Sequence, residues 1–286
     1  MNKVPITILI PVKNEEANLP RCLDCIRWAD EVFIVDSQST DKSVEIAEAW
    51  GAKVFDFKFN GRWPKKRNWA LETLPFSHEW IFILDADEVL PPESEEEFRN
   101  IVTNPNNPYN GYWINRRFMF MDKWLKHAYF PNWVLRCFKH KLGRYEQLTD
   151  TDAATTDNEV HEPLIVQGEL ARMHCVLDHY AFPTVEVFVT KHNYYSNWEA
   201  AIDCDPKLGL SSTNISRNHQ GYFKMKLKQW SRKMPFRPLM RFLYIYIFQK
   251  GFLDGREGYY FARLHGIYEF LSVAKAYELR KQQKKK

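Results

Sequence analysis

Phosphate-cradling glycine loops are missing from this sequence. Neither a G-x-G-x-x-G turn nor a P-loop occurs among its 11 glycines, which excludes a dinucleotide dehydrogenase and a P-loop NTPase. Glycine and proline (15) are too few for a fibrous or low-complexity chain. Long apolar runs are absent too. The longest, Phe242 to Phe248, falls far short of the ~18 residues a membrane span needs. Cysteine is scarce and scattered, at Cys22, Cys25, Cys137, Cys175 and Cys204. Cys22 and Cys25 have a CxxC spacing, but no second pair completes a zinc site, and the spacing suits one buried helix face. An odd cysteine count, with no secretory leader in MNKVPITILIPV, points to a reducing cytoplasm. No serine or cysteine triad signature is present.

What remains is globular. Hydrophobic residues make up 45% and charged residues 27% of 286, enough to bury a proper core in one large domain or one domain with an appendage. The net charge of +4 hides an asymmetry. From Arg217 onward there are 17 Lys+Arg and 4 Asp+Glu, giving +13 against −9 for the first 216 residues. Such a split divides a chain into two functional regions.

Strands and helices alternate through residue 102. Ile6 to Val12, Glu31 to Ser37, Ala52 to Phe57 and Trp80 to Leu84 read as buried strands. Residues 15–28, then Ser39-Thr40-Asp41 through Trp50 with Gly51 as stop, then Pro64 to about Leu74, read as helices. This rhythm predicts an α/β fold, a mostly parallel sheet flanked by helices. Beyond it, Tyr109 to Phe120 and Trp133 to His140 read as longer, more polar strands. Residues 141–160 read as a loop and Ala181 to Ala200 as a helix. Residues 203–218 read as a linker, and amphipathic helices broken at Pro235, Pro238 and Gly251 follow. The expected organisation is a catalytic domain over 1–202, with a donor half to about 102 and an acceptor half after it, and a basic aromatic helical extension over 219–286.

In an open parallel sheet, ligands bind at the carboxyl ends of the strands. Four polar clusters fall there: Asn14-Glu15, Asp36-Ser37, Lys65-Lys66-Arg67-Asn68 and Asp85-Ala86-Asp87. Asp85 and Asp87, two apart and followed by Glu88, repel one another unless a cation sits between them. Mg²⁺ or Mn²⁺ prefers carboxylate oxygen together with substrate phosphate oxygen. The fixed fork of Arg67 suits a pyrophosphate.

The order ILIPVKNEE, FIVDSQSTD, PKKRNWA, FILDADE resembles family 2 glycosyltransferases of the GT-A fold. NEVHEPL, VLDHYAF and KHNYYSNWEA resemble the branch that adds glucose to the lipopolysaccharide inner core. The resemblance implies that the loop from Pro11 and Val12 through Asn14 and Glu15 lies against the nucleotide base and ribose. It implies that Asp36 accepts a hydrogen bond from the base, most often uracil. Arg67 would approach the diphosphate or ribose, Asp85 the ribose or the metal's water shell, and Asp87 would bind the divalent metal. An acidic general base is implied at Glu162, with the neighbouring His161 as the other candidate. A later histidine, His174 or His179, is a further candidate metal ligand. Trp113, Tyr129 and Trp133 are candidates to stack on a sugar, and Arg136 to reach a phosphate.

The implied reaction is an inverting, metal-dependent transfer of glucose or a similar hexose from a UDP-sugar to a lipid-linked or lipopolysaccharide-core/exopolysaccharide acceptor. Residues 222–248 add Phe223, Leu227, Trp230 and Met234 at helical spacing among Lys224, Lys226, Lys228, Arg232 and Lys233, a pattern that either lies in a membrane interface or packs its aromatics on the catalytic domain and exposes only its cations. The expected location is therefore cytoplasmic, peripheral on the inner face of the cytoplasmic membrane, without nucleic acid. The competing readings are a nucleotidyltransferase, for which PVKNEE lacks the Gly-rich basic signature, and a nucleic-acid binder using the basic tail, which leaves the acidic half unexplained.

Overall fold

The computed structural model describes residues 2–146, 163–204 and 236–284. Along the chain run β1 (Val4–Val12), α1 (Leu19–Asp24), β2 (Ala29–Asp36), α2 (Ser43–Trp50), β3 (Lys53–Asp56), α3 (Lys66–Thr73), β4 (Trp80–Ile83), β5 (Glu88–Val89), α4 (Ser94–Thr103), β6 (Gly111–Phe120), β7 (Lys123–Trp124) and β8 (Trp133–Lys139). Then come β9 (Gly143–Tyr145), β10 (Leu164–Val166), β11 (Leu170–Phe182), α5 (Val185–Cys204), α6 (Arg237–Leu243) and α7 (Gly255–Gln283). The main sheet has the order β3-β2-β1-β4-β8-β6-β11-β5, with β7 on β6, and β9 and β10 pair separately. The α/β expectation holds, and parallel pairing is confined to β3-β2-β1-β4. From β8 onward the strands whose pairing is defined run antiparallel.

The reason lies in the side chains. In β1 every residue but Pro5 is buried, the near-continuous apolar run of a strand covered on both faces. Pro5 has no N–H for the ladder, and the register with β2 shifts between Val4 and Thr7. Gly51 ends α2 at φ 97°, its N–H bonded to the carbonyls of Ala47 and Glu48, a left-handed cap that glycine adopts at little cost. The acidic first turn of α4, Glu95 to Glu97, complements the positive end of its dipole. Glu97 then accepts the backbone N–H groups of His174 and Cys175 on β11 at 2.7 and 2.8 Å. Cys22 is buried on α1, and all five thiols are free. Burial pushes Cys22, Cys137 and Cys175 up, with Cys25 reaching about 11, so these four are not reactive thiolates.

The chain forms two compact units, Met1–Arg117 with Asn132–His179, and Phe118–Pro131 with Tyr180–Lys286. The first holds two apolar clusters, one centred on Ile6, Ile8, Phe82 and Phe98, the other on Leu9, Phe33, Ile81 and Phe138. The second packs Phe118, Phe120, Phe188, Ile245 and Phe261. Pro238 sits in the first turn of α6, and Gly251 is buried at the start of a 3₁₀ turn. Pro235 and the residues from Phe223 to Met234 lie outside the described residues. Among the described residues, no helix is long and apolar enough to cross a membrane.

Two buried histidines sit in the second unit's aromatic core. His192 stacks on Phe188 at 3.8 Å and bonds the Phe188 carbonyl at 2.8 Å, and the His265 ring lies 5.3 Å from it. Burial pushes His192 down to about 4 and His265 well below its ordinary value, with Arg241 adding to both. In the unfolded chain both titrate near ~6.5. Between those values the unfolded chain binds the proton and the folded one does not. This stability is therefore complete above about pH 6.5 and is lost as pH falls toward about 4. His192 alone should cost about 2 kcal/mol at about pH 5. Circular-dichroism melts across this range should show a falling Tm, with a shallower fall in His192→Phe; a pH-independent Tm would refute the assignment.

Candidate active site

The carboxyl ends of β1, β2 and β4 meet in three linked constellations. The first joins the loops after β1 and β2. Asp36, buried, accepts the backbone N–H of Ser39 at 2.9 Å and its hydroxyl. The Ser39 Oγ in turn accepts the Asn14 N–H at 2.8 Å, and Asn14 Oδ1 accepts the Thr40 N–H at 2.8 Å. Asn14 holds φ 56° in doing so, a left-handed turn that asparagine tolerates. Glu15 donates its N–H to Ser43 Oγ at 2.7 Å, and Val12 accepts the Ser37 N–H at 3.0 Å. Pro11 and Val12 at the end of β1, Asp36 at the end of β2, and Asn14 and Glu15 in the loop after β1 are thus joined by one hydrogen-bonded double loop.

The second constellation is set by α3, whose first turn is basic yet buried: Lys66 is 2% and Arg67 8% exposed. Lys66 Nζ donates to the Val12 carbonyl at 2.9 Å. Asn68 pairs with the backbone of Tyr145 as a strand would, donating at 2.8 Å and accepting at 2.8 Å. This fixes the helix so that Arg67 reaches Asp85 and lies 5.5 Å from the Tyr145 ring. Asp85 also accepts from Arg136 on β8. Arg136 is shared with Glu88 at 3.5 Å, and Glu88, fully buried, accepts from Arg116 on β6 at 3.3 Å and from the Asp85 N–H at 3.0 Å. Arg116 continues to Asn132, whose own N–H bonds Asn115.

Burial alone would raise Asp85, but the Arg136 and Arg67 guanidiniums overrule it and hold the carboxyl far below the usual range. Burial likewise opposes the charge on Arg136, and Asp85 and Glu88 restore it. The cation that the Asp85–Asp87 pair requires is therefore in part internal: two guanidiniums hold Asp85.

Asp87 takes the other direction. Its Oδ1 lies 3.5 Å from His179 Nε2, with both side chains about one-sixth exposed (16% and 14%). His179 is placed there by the register of β11 against β5, where it opposes Glu88. The carboxylate oxygen suits Mn²⁺ or Mg²⁺, and the softer imidazole nitrogen beside it favours a transition metal such as Mn²⁺ over Mg²⁺. Among the described residues no group of three such donors occurs.

His161 and Glu162 lie outside the described residues. Of the two later histidines, the structure brings His179 to Asp87, while His174 lies on β11 with its N–H on Glu97. Trp133 carries the Arg172 guanidinium at 4.8 Å, and Tyr129 packs between Phe118 and Phe261. Sequence reasoning weighed Arg136 for phosphate and missed its grip on Asp85. It missed Arg116 altogether, because neither arginine has a local motif; Arg136 is 51 positions from Asp85. The one available signal was polarity inside otherwise apolar strands, GYWINRRF and WVLRCF.

An uncharacterized glycosyltransferase of Rickettsia bellii is 28% identical over 96% of this chain and 86% of its own length. LpsC of Rhizobium meliloti, a lipopolysaccharide core biosynthesis glycosyltransferase, is 25% identical over 96% and 93%. Among solved structures, S. aureus TarS residues 1–349 with UDP is 15% identical over 98% of this chain and 92% of that one, with a TM-score of 0.43. The model for glycosyl transferase family 2 matches residues 7–156, just over half of the 286, and on that match the chain belongs to glycosyl transferase family 2 and is a glycosyltransferase.

Proposed function

We propose that this glycosyltransferase is metal-dependent and inverting, and moves glucose or a similar hexose from a UDP-sugar to a lipid-linked acceptor of the lipopolysaccharide-core type. The observation that carries the reading is the division of labour at the end of β4: Arg67 and Arg136 claim Asp85, and Asp87 is left facing His179. The acceptor class is supported by the similarity to LpsC over nearly the whole of both chains. A location on the inner face of the cytoplasmic membrane fits such an acceptor.

In this reading Asp87 and His179 hold Mg²⁺ or Mn²⁺. The ion, when bound, offsets the charge that develops on the leaving diphosphate. The double loop of Pro11, Val12, Asn14, Glu15 and Asp36 receives the nucleoside, its stiffness keeping the entropy cost of binding low. Asp36 accepts from the base. Arg67 lies at the same strand end as Asp87 and approaches the diphosphate or ribose, while Asp85 orients Arg67 and faces the ribose. The acceptor hydroxyl loses its proton as it attacks the anomeric carbon, and Glu162, or His161 beside it, takes that proton. No covalent intermediate is needed.

The test is transfer from a panel of nucleotide sugars to core acceptors with Mg²⁺ or Mn²⁺. UDP-hexoses should serve as donors. Glu162→Gln should lower kcat by about 10²–10⁴ while leaving donor binding intact. Normal turnover in Glu162→Gln would pass the base to His161, and transfer from no nucleotide sugar would overturn the reading.

A further inference from the structure

The second unit exposes apolar side chains in a way its own core does not explain. Between α6 and α7 the chain makes a π turn over Tyr244–Phe248 and a 3₁₀ turn over Gly251–Asp254. Ile247, Phe248, Phe252 and Leu253 are exposed there, Phe248 by 76%. Single exposed apolar residues are ordinary, but four within seven residues form a patch. Tyr259 and Tyr260, also exposed, continue it on the first turns of α7, and Tyr246 links Phe252 to Tyr259 by ring contacts of 6.2 and 5.7 Å.

The backbones beneath the patch are closely packed. A Cβ on Gly258 would meet the Gly251 carbonyl oxygen at 2.0 Å, and one on Gly251 would meet the Ile245 carbonyl oxygen at 2.7 Å. Only glycine lets these backbones approach so closely, which seats the 3₁₀ turn directly on α7 and on the preceding π turn.

The charges around it are sorted by sign. Asp254 is buried, its carboxylate accepting the backbone N–H groups of Lys126, His127 and Ala128 at 2.8–3.0 Å and bonded to His127 Nδ1. Glu257 pairs with Lys123 at 2.9 Å. Lys250, Arg256 and Arg263 face outward. Acids are withdrawn or paired while cations surround exposed aromatics and aliphatics. A second copy of the chain would bring like charges together across a twofold interface. A bilayer with anionic headgroups meets both features, since apolar tips enter the acyl boundary and Lys and Arg reach phosphate.

We infer that the turn 247–253 and the start of α7 form a docking face for an anionic lipid bilayer. This rests on the proposed lipid-linked acceptor only for its purpose, since binding to vesicles requires no transfer. The test is flotation of the full chain with phosphatidylglycerol/phosphatidylcholine vesicles and with phosphatidylcholine alone. The protein should float with the anionic vesicles and sediment with the neutral ones. Phe248→Ser with Phe252→Ser should weaken binding by about tenfold or more. Lys250→Gln and Arg256→Gln should each weaken it about fivefold. All four positions are exposed, so the Tm of each variant should match the wild type. Failure to float, or flotation of these variants equal to the wild type, overturns the inference. So does a wild-type dimer that the phenylalanine variant converts to a monomer. Flotation by a protein whose Tm no nucleotide raises would sustain this inference while overturning the proposed donor.

Discussion

Arg136→Leu should lower the stability of the first unit by about 3–5 kcal/mol, the range measured when one partner of a buried ion pair is removed. At this size that is roughly a 10 °C fall in Tm. Arg136 is the residue that Asp85 and Glu88 share. Deleting it leaves Asp85 on Arg67 alone and Glu88 on Arg116 alone, at a site with little water to replace the lost charge. Asp85→Asn in the same chain should recover part of the loss, because it removes the charge that Arg136 served. The coupling in that double-mutant cycle should exceed about 1 kcal/mol. Additive losses would mean that the two side chains touch without depending on one another.

Asp87→Asn should behave in the opposite manner. Its carboxylate is partly exposed and faces His179, so the fold should tolerate the amide and Tm should change little. Turnover should fall by at least about 10³-fold, the scale of losing an electrostatic stabiliser of the leaving group. His179→Ala should fall in the same direction but less far. If Asp87→Asn retains most activity, the ion is not held there.

The contrast between these two aspartates shows what the sequence could and could not disclose. DAD after a buried strand announces a paired-carboxylate site, because the repulsion is visible within three residues. Which carboxylate the guanidiniums take and which one faces the imidazole is decided by Arg136 on β8 and His179 on β11. Their approach depends on strand order, and no spacing encodes that. The same holds for the fold. β1, β2 and β4 were legible because each is apolar at nearly every position. β11 is not legible, because apolar runs such as Cys175 to Leu177 and Tyr180 to Phe182 interrupt any period-two pattern along its thirteen residues. The helix α5 was placed four residues early because Ala181 and Phe182, apolar enough for a helix start, finish β11 instead. The charge asymmetry is legible in the sequence, but not that Asp254 is tied down among backbone amides, which leaves Lys250 and Arg256 as the exposed charges on either side of it.

The most direct measurement is the Tm of the wild type and of Asp87→Ala with UDP and other nucleotides, each with and without Mn²⁺. A ligand at about 100 times its Kd stabilises by about 2.7 kcal/mol. UDP with Mn²⁺ should raise the wild-type Tm, UDP alone should do much less, and Asp87→Ala should lose the metal-dependent part. A wild type whose Tm no nucleotide raises, with or without metal, would contradict a metal-assisted nucleotide-sugar site at the end of β4.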